Sequence, residues 1–183
     1  MKELVTPIDD ETIAGLGIGD EVCISGRIYT ARDAAHKKLA AMAEAGEKLP
    51  FGLDGQAVFY AGPAPAKPGK PIGSIGPTTA GRMDLYAPLL ISKGLKIMIG
   101  KGLRSKEVVD AIVKYRGIYF AATGGIAALM AKCVKAAKVI AFQELGTEAV
   151  WELVVEKLPL IVAIDSRGLN QYEEGRKKYS VPS

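Results

Sequence analysis

Between residues 95 and 142 the chain alternates short apolar runs with amphipathic ones, and this order limits the fold more than any other feature. Residues 95–99 (LKIMI), 118–122 (IYFAA) and 139–142 (VIAF) read as buried strands. Two segments of helical period lie between them. One starts at Ser105 as a cap and turns Val108, Val109, Ile112 and Val113 inward, with Gly117 as its stop. The other carries Ile126, Leu129, Met130 and Cys133. Strand, helix, strand, helix, strand predicts a largely parallel sheet with helices packed on it. Two further strands, 150–155 and 160–164, follow without a helix, which predicts an antiparallel part or a second small sheet.

Upstream, residues 1–19 read as a lead-in arm with one edge strand. Residues 20–29 form a strand, and Thr30 is placed to cap a helix whose face is Ala35, Leu39, Met42 and Ala43, with Asp33 and Lys37 as an i, i+4 pair and Gly46 as its end. Residues 56–61 are a short strand that runs into the proline-rich stretch 62–71. That stretch cannot join a central sheet, so it is read as a crossover loop. With 183 residues the chain suits one domain, 1–183.

The crossover delivers Gly76-Pro77-Thr78-Thr79-Ala80-Gly81-Arg82-Met83-Asp84. Seven of these nine residues lie outside the hydrophobic set, Ala80 and Met83 being the exceptions, so core packing does not account for them. A helical face of Met83, Ala87, Leu90 and Gly94 follows, with Pro88 predicting a kink or restart. Where a loop feeds a helix, unpaired N–H groups favour anions. Two readings are open: an anion site with Arg82 forking onto a carboxylate beside a Thr hydroxyl, or a capped helix start with Arg82 and Asp84 as solvated charges.

Three other places carry chemistry. Arg32 opens a helix although a cation there opposes the helix dipole. His36, the one histidine, lies on the same side; it is either structural, a support for Arg32, or part of a proton relay. Lys101 sits between two glycines after a strand, which lets the backbone approach a ligand, although an exposed turn lysine looks the same. Thr123-Gly124-Gly125 lacks the further residues of a dinucleotide or phosphate loop and is read as tight strand–helix packing.

The net charge of +4 is spread along the chain, and Arg176-Lys177-Lys178 reads as a solvated tail, so no nucleic-acid partner is expected. Cys23 and Cys133 each lie in an apolar run and read as small buried hydrophobes; with one histidine they make no metal site of this chain's own. No signal peptide is recognisable at the N-terminus, and no apolar run reaches the roughly 18 residues of a membrane span. No membrane association and a reducing cytoplasm are the expectation.

The nine-residue stretch resembles the signature of class I fumarases and L-tartrate dehydratases, in their C-terminal domain or separate beta subunit. The resemblance continues through Tyr29-Thr30-Ala31-Arg32-Asp33-Ala34-Ala35-His36, Lys101-Gly102, Ala122-Thr123-Gly124-Gly125 and Leu145-Gly146-Thr147-Glu148-Ala149-Val150-Trp151. Gly146-Thr147 departs from the family, where a Met commonly follows the Gly, and leaves the subgroup open. The resemblance implies the swivelling β/β/α fold, α/β with a mixed, largely parallel sheet flanked by helices. It implies Arg32, Arg82 and Lys101 as substrate-binding cations, a dicarboxylate as substrate and Thr78 as the catalytic hydroxyl. His36, Asp33, Thr79 and Asp84 are possible supporting residues. It also implies a four-iron–four-sulfur cluster held by three cysteines of an alpha subunit or N-terminal domain. This chain lacks those cysteines, so it is expected to be the beta subunit of a two-part hydro-lyase acting on fumarate. Alternatives are a tartrate dehydratase beta subunit or a stand-alone dicarboxylate-binding module. A concave basic pocket and self-association of the isolated chain are further expectations.

Overall fold

The computed structural model describes residues 1–179. Its strands are β1 (Lys2–Val5), β2 (Glu21–Thr30), β3 (Ala57–Phe59), β4 (Ile97–Gly100), β5 (Ile118–Ala121), β6 (Val134–Ala141) and β7 (Val150–Ile164). Its helices are α1 (Asp10–Ala14), α2 (Asp33–Glu44), α3 (Ala87–Ser92), α4 (Lys106–Tyr115), α5 (Ala127–Cys133) and α6 (Gln171–Tyr179). β2, β3, β4 and β5 pair in parallel in that order. β7 runs antiparallel to both β5 and β2, and so closes a five-stranded ring. β1 extends the first half of β2 in parallel, and β6 extends the first half of β7 in antiparallel. The architecture is therefore mixed α/β, with the parallel strands flanked by helices as expected.

Alternation along the short strands divides the apolar residues into two cores. Ile97, Ile99, Ile118, Phe120, Ala57 and Phe59 join Leu153, Val155, Leu160 and Val162 in one cluster, inside the ring. The residues between them, Val58, Met98 and Tyr119, join Leu39, Leu90, Val108 and Ile112 of α2, α3 and α4 in the other. A strand buried on both faces reads as a continuous apolar run, which is why these strands stood out in the sequence.

Several local expectations need correction. Residues 150–164 are one strand rather than two, because Lys157, at φ 51°, absorbs a bulge opposite Ser25. Val162 donates to Asp20 on the β2 side, so alternation turns Pro159 to the other side, where β6 has ended and β5 has not begun. Val113 is 45% exposed, since it lies about 140° around α4 from Val108; Val108, Ala111 and Ile112 form the buried face. Ser105 does cap α4, accepting from the Val108 N–H, but Arg116 rather than Gly117 takes the left-handed end position. α3 spans only Ala87–Ser92 with Pro88 in its first turn, so Met83 lies in a separate 3-10 turn, Ala80–Met83, and Gly94 beyond the end. Of the α5 face only Met130 is buried; Leu129 is exposed and Cys133 is half-buried, unlike Cys23. β6 starts directly after α5, earlier than the apolar run suggested. Arg176, Lys177 and Lys178 form the last turn of α6, where their charge complements the carbonyl end of its dipole, and are not a tail. No helix among the described residues is long and apolar enough to cross a membrane.

The two-core arrangement makes Phe120→Ala expensive, because it empties the ring interior. We expect a loss of about 3–5 kcal/mol in urea denaturation. The change Val154→Ala, at a 39% exposed position on β7, is expected to stay within about 0.5 kcal/mol.

Candidate functional site

The carboxyl ends of β2, β3, β4 and β5 lie at one rim of the ring because these strands are parallel. The expected catalytic and substrate-binding residues each follow one of them: Arg32 after β2, Thr78 and Arg82 on the crossover after β3, and Lys101 after β4; Thr123, read as packing, follows β5. In open parallel sheets, ligands bind outside this end of the strands. β7 runs the other way, so its first residues arrive at the same rim, and Glu148 lies just before them.

The crossover is sewn to the rim by its backbone. Thr78 N–H donates to the Tyr60 carbonyl at 2.6 Å, and the Thr78 carbonyl accepts from Lys101 N–H at 3.2 Å. Ala80 N–H donates to the Lys101 carbonyl at 2.8 Å, which makes a parallel bridge between Thr79 and Lys101. The Thr78 hydroxyl has no hydrogen-bond partner among the described residues. The 3-10 turn then carries Arg82 back over α2, where its Nε donates to Asp33 Oδ1 at 2.8 Å. Asp33 thus pairs with Arg82 across the rim and not with Lys37, the expected neighbour on its own helix.

Arg32 takes extended backbone at the N-cap of α2 and caps nothing with its own side chain. Thr30, the expected cap, instead accepts from the Trp151 N–H of β7. The capping group is Glu148: Oε2 accepts from Ala34 N–H at 3.1 Å while Oε1 lies 3.2 Å from an Arg32 terminal nitrogen. A carboxylate at the helix start offsets the unfavourable cation there. Gly62 allows this packing, since a Cβ on it would lie 2.6 Å from the Thr147 carbonyl and 3.2 Å from Arg32. Two of the three cations are therefore matched by internal carboxylates. Lys101 makes no ion pair among the described residues.

Asp84 does not face solvent as a free charge. Its Oδ1 accepts from Arg104 Nε at 2.7 Å and its Oδ2 from the Ser105 N–H. The Arg104 side chain is fully buried, with its guanidinium carbon 5.2 Å from the Tyr60 ring and 5.0 Å from that of Tyr119. Tyr119 OH donates to the Gly102 carbonyl, and the Gly102 N–H donates to Tyr172 OH of α6.

His36 is wholly buried and meets Tyr60 edge-on, 5.0 Å between centroids. Its Nδ1 lies 3.0 Å from the Arg32 carbonyl, so it supports Arg32 through the backbone. Burial, aided by the nearby Arg104 charge, lowers its pKa from 6.5 to about 4 against the pull of that hydrogen bond. The ring is neutral at pH 7 and out of reach of solvent.

The expected concave basic pocket takes a different form. A cavity of about 340 Å³ lies beside Lys101, lined by Ala121, Ala122, Thr123, Ile161 and Tyr172 among others, and Lys101 is its one charged wall. Arg32, Thr78 and Arg82 do not line it, and both guanidinium groups are paired with carboxylates. Gly124 and Gly125 are exposed with no atom within 4 Å of a Cβ on either, so the Thr123-Gly124-Gly125 loop is open wall and not tight packing.

With this geometry in hand, residues 2–175 match the family model described as the Fumarase C-terminus. The chain belongs to the Fumarase C-terminus family. It is 42% identical to a protein named Fumarate hydratase 2 from Leishmania major over 94% of this chain and 31% of that one. It is 39% identical to the anaerobic class I fumarate hydratase of Escherichia coli strain K12, over 95% of this chain and again 31% of that one. The chain thus spans under a third of these relatives. Against the putative L(+)-tartrate dehydratase subunit beta of Methanocaldococcus jannaschii it is 41% identical, over 97% of this chain and 94% of that one.

For this Fumarase C-terminus chain, sequence reasoning missed Arg104 and the part played by Glu148. Glu148 lay inside a motif already noticed. Arg104 had only a weak local signal, a charge just before the cap of α4, which reads as exposed.

The buried His36 gives a pH test. The native state leaves it unprotonated down to about pH 4, whereas the unfolded chain takes up a proton below about 6.5. Stability is therefore lost as pH falls from 6.5 towards 4, by about 1.4 kcal/mol per unit. Between pH 7 and 5 we expect urea denaturation to fall by about 2 kcal/mol more for the natural chain than for His36→Gln. Equal falls would remove His36 as the cause.

Proposed function

We propose that this chain is the beta subunit, or C-terminal part, of a two-part hydro-lyase that interconverts fumarate and L-malate. The observation that carries this reading is the shared rim. Thr78 is bonded through its backbone to Lys101, and Arg82 reaches Asp33 beside Arg32. One hydroxyl and three cations from separate segments thus serve a single small dianion. Arg32 and Arg82 keep donors beyond those spent on Glu148 and Asp33, and these take the substrate carboxylates. Lys101 adds a third charge. On this reading Thr78 takes the carbon-bound proton during dehydration and returns it during hydration. The chain acts as a single domain of the swivelling β/β/α type in this reading, which is supported by two cores on the two faces of one sheet. A cytoplasmic setting goes with it.

The family resemblance implies a four-iron–four-sulfur cluster, and the donors of this chain do not fit one. Its cysteines number two, and among the described residues no group of three His, Cys, Asp or Glu side chains could hold a metal. The cluster belongs to an alpha partner on this reading, and the roles given above are those of this chain's residues alone. Leu85 and Leu103, 83% and 43% exposed, adjoin Asp84 and the buried Arg104 and suit a rim that the partner covers. The isolated chain is expected to self-associate through them. Tartrate is the second reading, supported by the near full-length match to the archaeal subunit.

The test is anaerobic co-expression with a partner that carries the three cysteines, followed by assays on fumarate, malate and tartrate. Turnover is expected only with both chains present, and turnover by this chain alone would overturn the split reading. Tartrate turnover without fumarate turnover selects the second reading. Failure of the complex on all three leaves a stand-alone binding module. In the active complex, Arg82→Lys keeps the charge and loses the planar fork. We expect kcat/KM to fall roughly 10- to 100-fold, the equivalent of one charge-assisted hydrogen bond. Thr78→Val is expected to lower kcat by roughly 10²–10⁴ with little change in KM or Tm. Near-normal turnover would leave the chain as a clamp only.

A further inference from the structure

Arg104 lies in none of the stretches that carry the family resemblance, yet it is the most completely buried charge at the rim. A buried ion pair is weak support for stability, because desolvation consumes much of the attraction. Here the compensation is also incomplete. One nitrogen of Arg104 meets Asp84, another rests 3.6 Å from the Met98 sulfur, and the last, Nη2, has no partner. Fold stability does not explain such an arrangement, but its neighbours do.

Three of the groups around the Arg104 guanidinium, Tyr60, Asp84 and Tyr119, each hold a different part of the rim. Tyr60 gives its carbonyl to Thr78 N–H. Asp84 closes the 3-10 turn that bears Arg82, through Asp84 N–H to the Gly81 carbonyl, and ties that turn to Ser105. Tyr119 donates to the Gly102 carbonyl, next to Lys101. Gly100 lets these rings close on the guanidinium, since a Cβ there would lie 2.9 Å from Tyr60 and 3.4 Å from the Tyr119 hydroxyl. Tyr60 also meets His36, which holds the carbonyl of Arg32. We propose that Arg104 is a positioning residue whose buried guanidinium, gripped by Asp84 between Tyr60 and Tyr119, fixes Thr78, Arg82 and Lys101 relative to one another. A planar cation suits this task. It presents edges to a carboxylate and faces to two aromatic rings at once, which an ammonium does not.

The first arm of the test needs no substrate. Amide hydrogen exchange is followed in the full chain and in Arg104→Met, at Thr78, Ala80 and Gly102 and at β2 and β7 amides as reference. Exchange at the three rim amides should speed up roughly 10- to 100-fold, the equivalent of one charge-assisted hydrogen bond, while the reference amides hold. Unchanged rim protection, or an equal rise everywhere, overturns the proposal. Should Arg104→Met fail to fold, Arg104→Met with Asp84→Asn leaves no unpaired buried charge and takes its place. The second arm rests on the hydro-lyase reading. In the reconstituted complex, Arg104→Met should lower kcat/KM roughly 10- to 100-fold in the natural background and far less in an Arg82→Ala background, because the two act on one unit. Equal losses in both backgrounds count against it. An inactive natural complex sinks the hydro-lyase reading alone, and the exchange arm still decides the role of Arg104.

Discussion

The antiparallel pairing of β2 with β7 is the constraint on which the rest depends. It runs from Glu21 opposite Ile161 to Thr30 opposite Trp151. Without it, β2 to β5 would be a parallel sheet with an open edge, the form most exposed to wrong pairing. With it the sheet closes, and Leu153, Val155, Leu160 and Val162 fill the inside against Phe59, Ile99 and Phe120. A strand long enough to do this must bend. The bend is at Lys157, whose N–H finds the Ser25 hydroxyl where the register slips. Closure fixes function as well as stability, because it brings Glu148, at the start of β7, to the rim where the parallel strands end.

At that rim, charges are held by other charges before any ligand arrives. The Arg32–Glu148 pair is about a quarter exposed on both sides, and the Arg82–Asp33 pair is more open. Such pairs are worth about 1 kcal/mol or less. Their value lies in orientation: Glu148 holds Arg32 while capping α2, and Asp33 holds Arg82 by its Nε, leaving the terminal nitrogens without a hydrogen bond among the described residues. Orientation of this kind lowers the cost of fixing a flexible side chain on binding. It also means that an incoming carboxylate meets cations already partly neutralised, so it gains less than bare arginines would offer.

How legible was this in the sequence? Elements set by local chemistry were readable. The apolar runs of β4 and β5, the Ser105 cap and the restart at Pro88 all follow from residues next to one another. The candidate residues Arg32, Thr78, Arg82 and Lys101 came from the family resemblance; that they share one rim follows from each coming after a parallel strand. What failed was set by distant partners. Thr30 looked like a cap and became an acceptor for Trp151. Asp33 looked like a partner for Lys37 and found Arg82, forty-nine residues away. Strand β7 looked broken at Pro159, since nothing local says that the missing N–H faces a gap in the sheet. Arg104 went unnoticed because a lone arginine gives no sign of the two tyrosines and one aspartate that surround it.

The contrast between the buried and the open charges carries the last step. The Arg104 side chain is removed from water and its partner Asp84 is only 12% exposed, while Arg82, in the turn that Asp84 closes, is half exposed. Interactions of Arg82 are therefore screened as matters stand, and those of Arg104 are not. Exclusion of water from the rim would strengthen every pair in it several-fold, because the effective dielectric falls from that of water towards about 20. The geometry is already set by the buried pair, so such a cover would need to supply no reorganisation, only dryness. On the hydro-lyase reading, a rim tied from below and wet above is suited to being completed by a second surface.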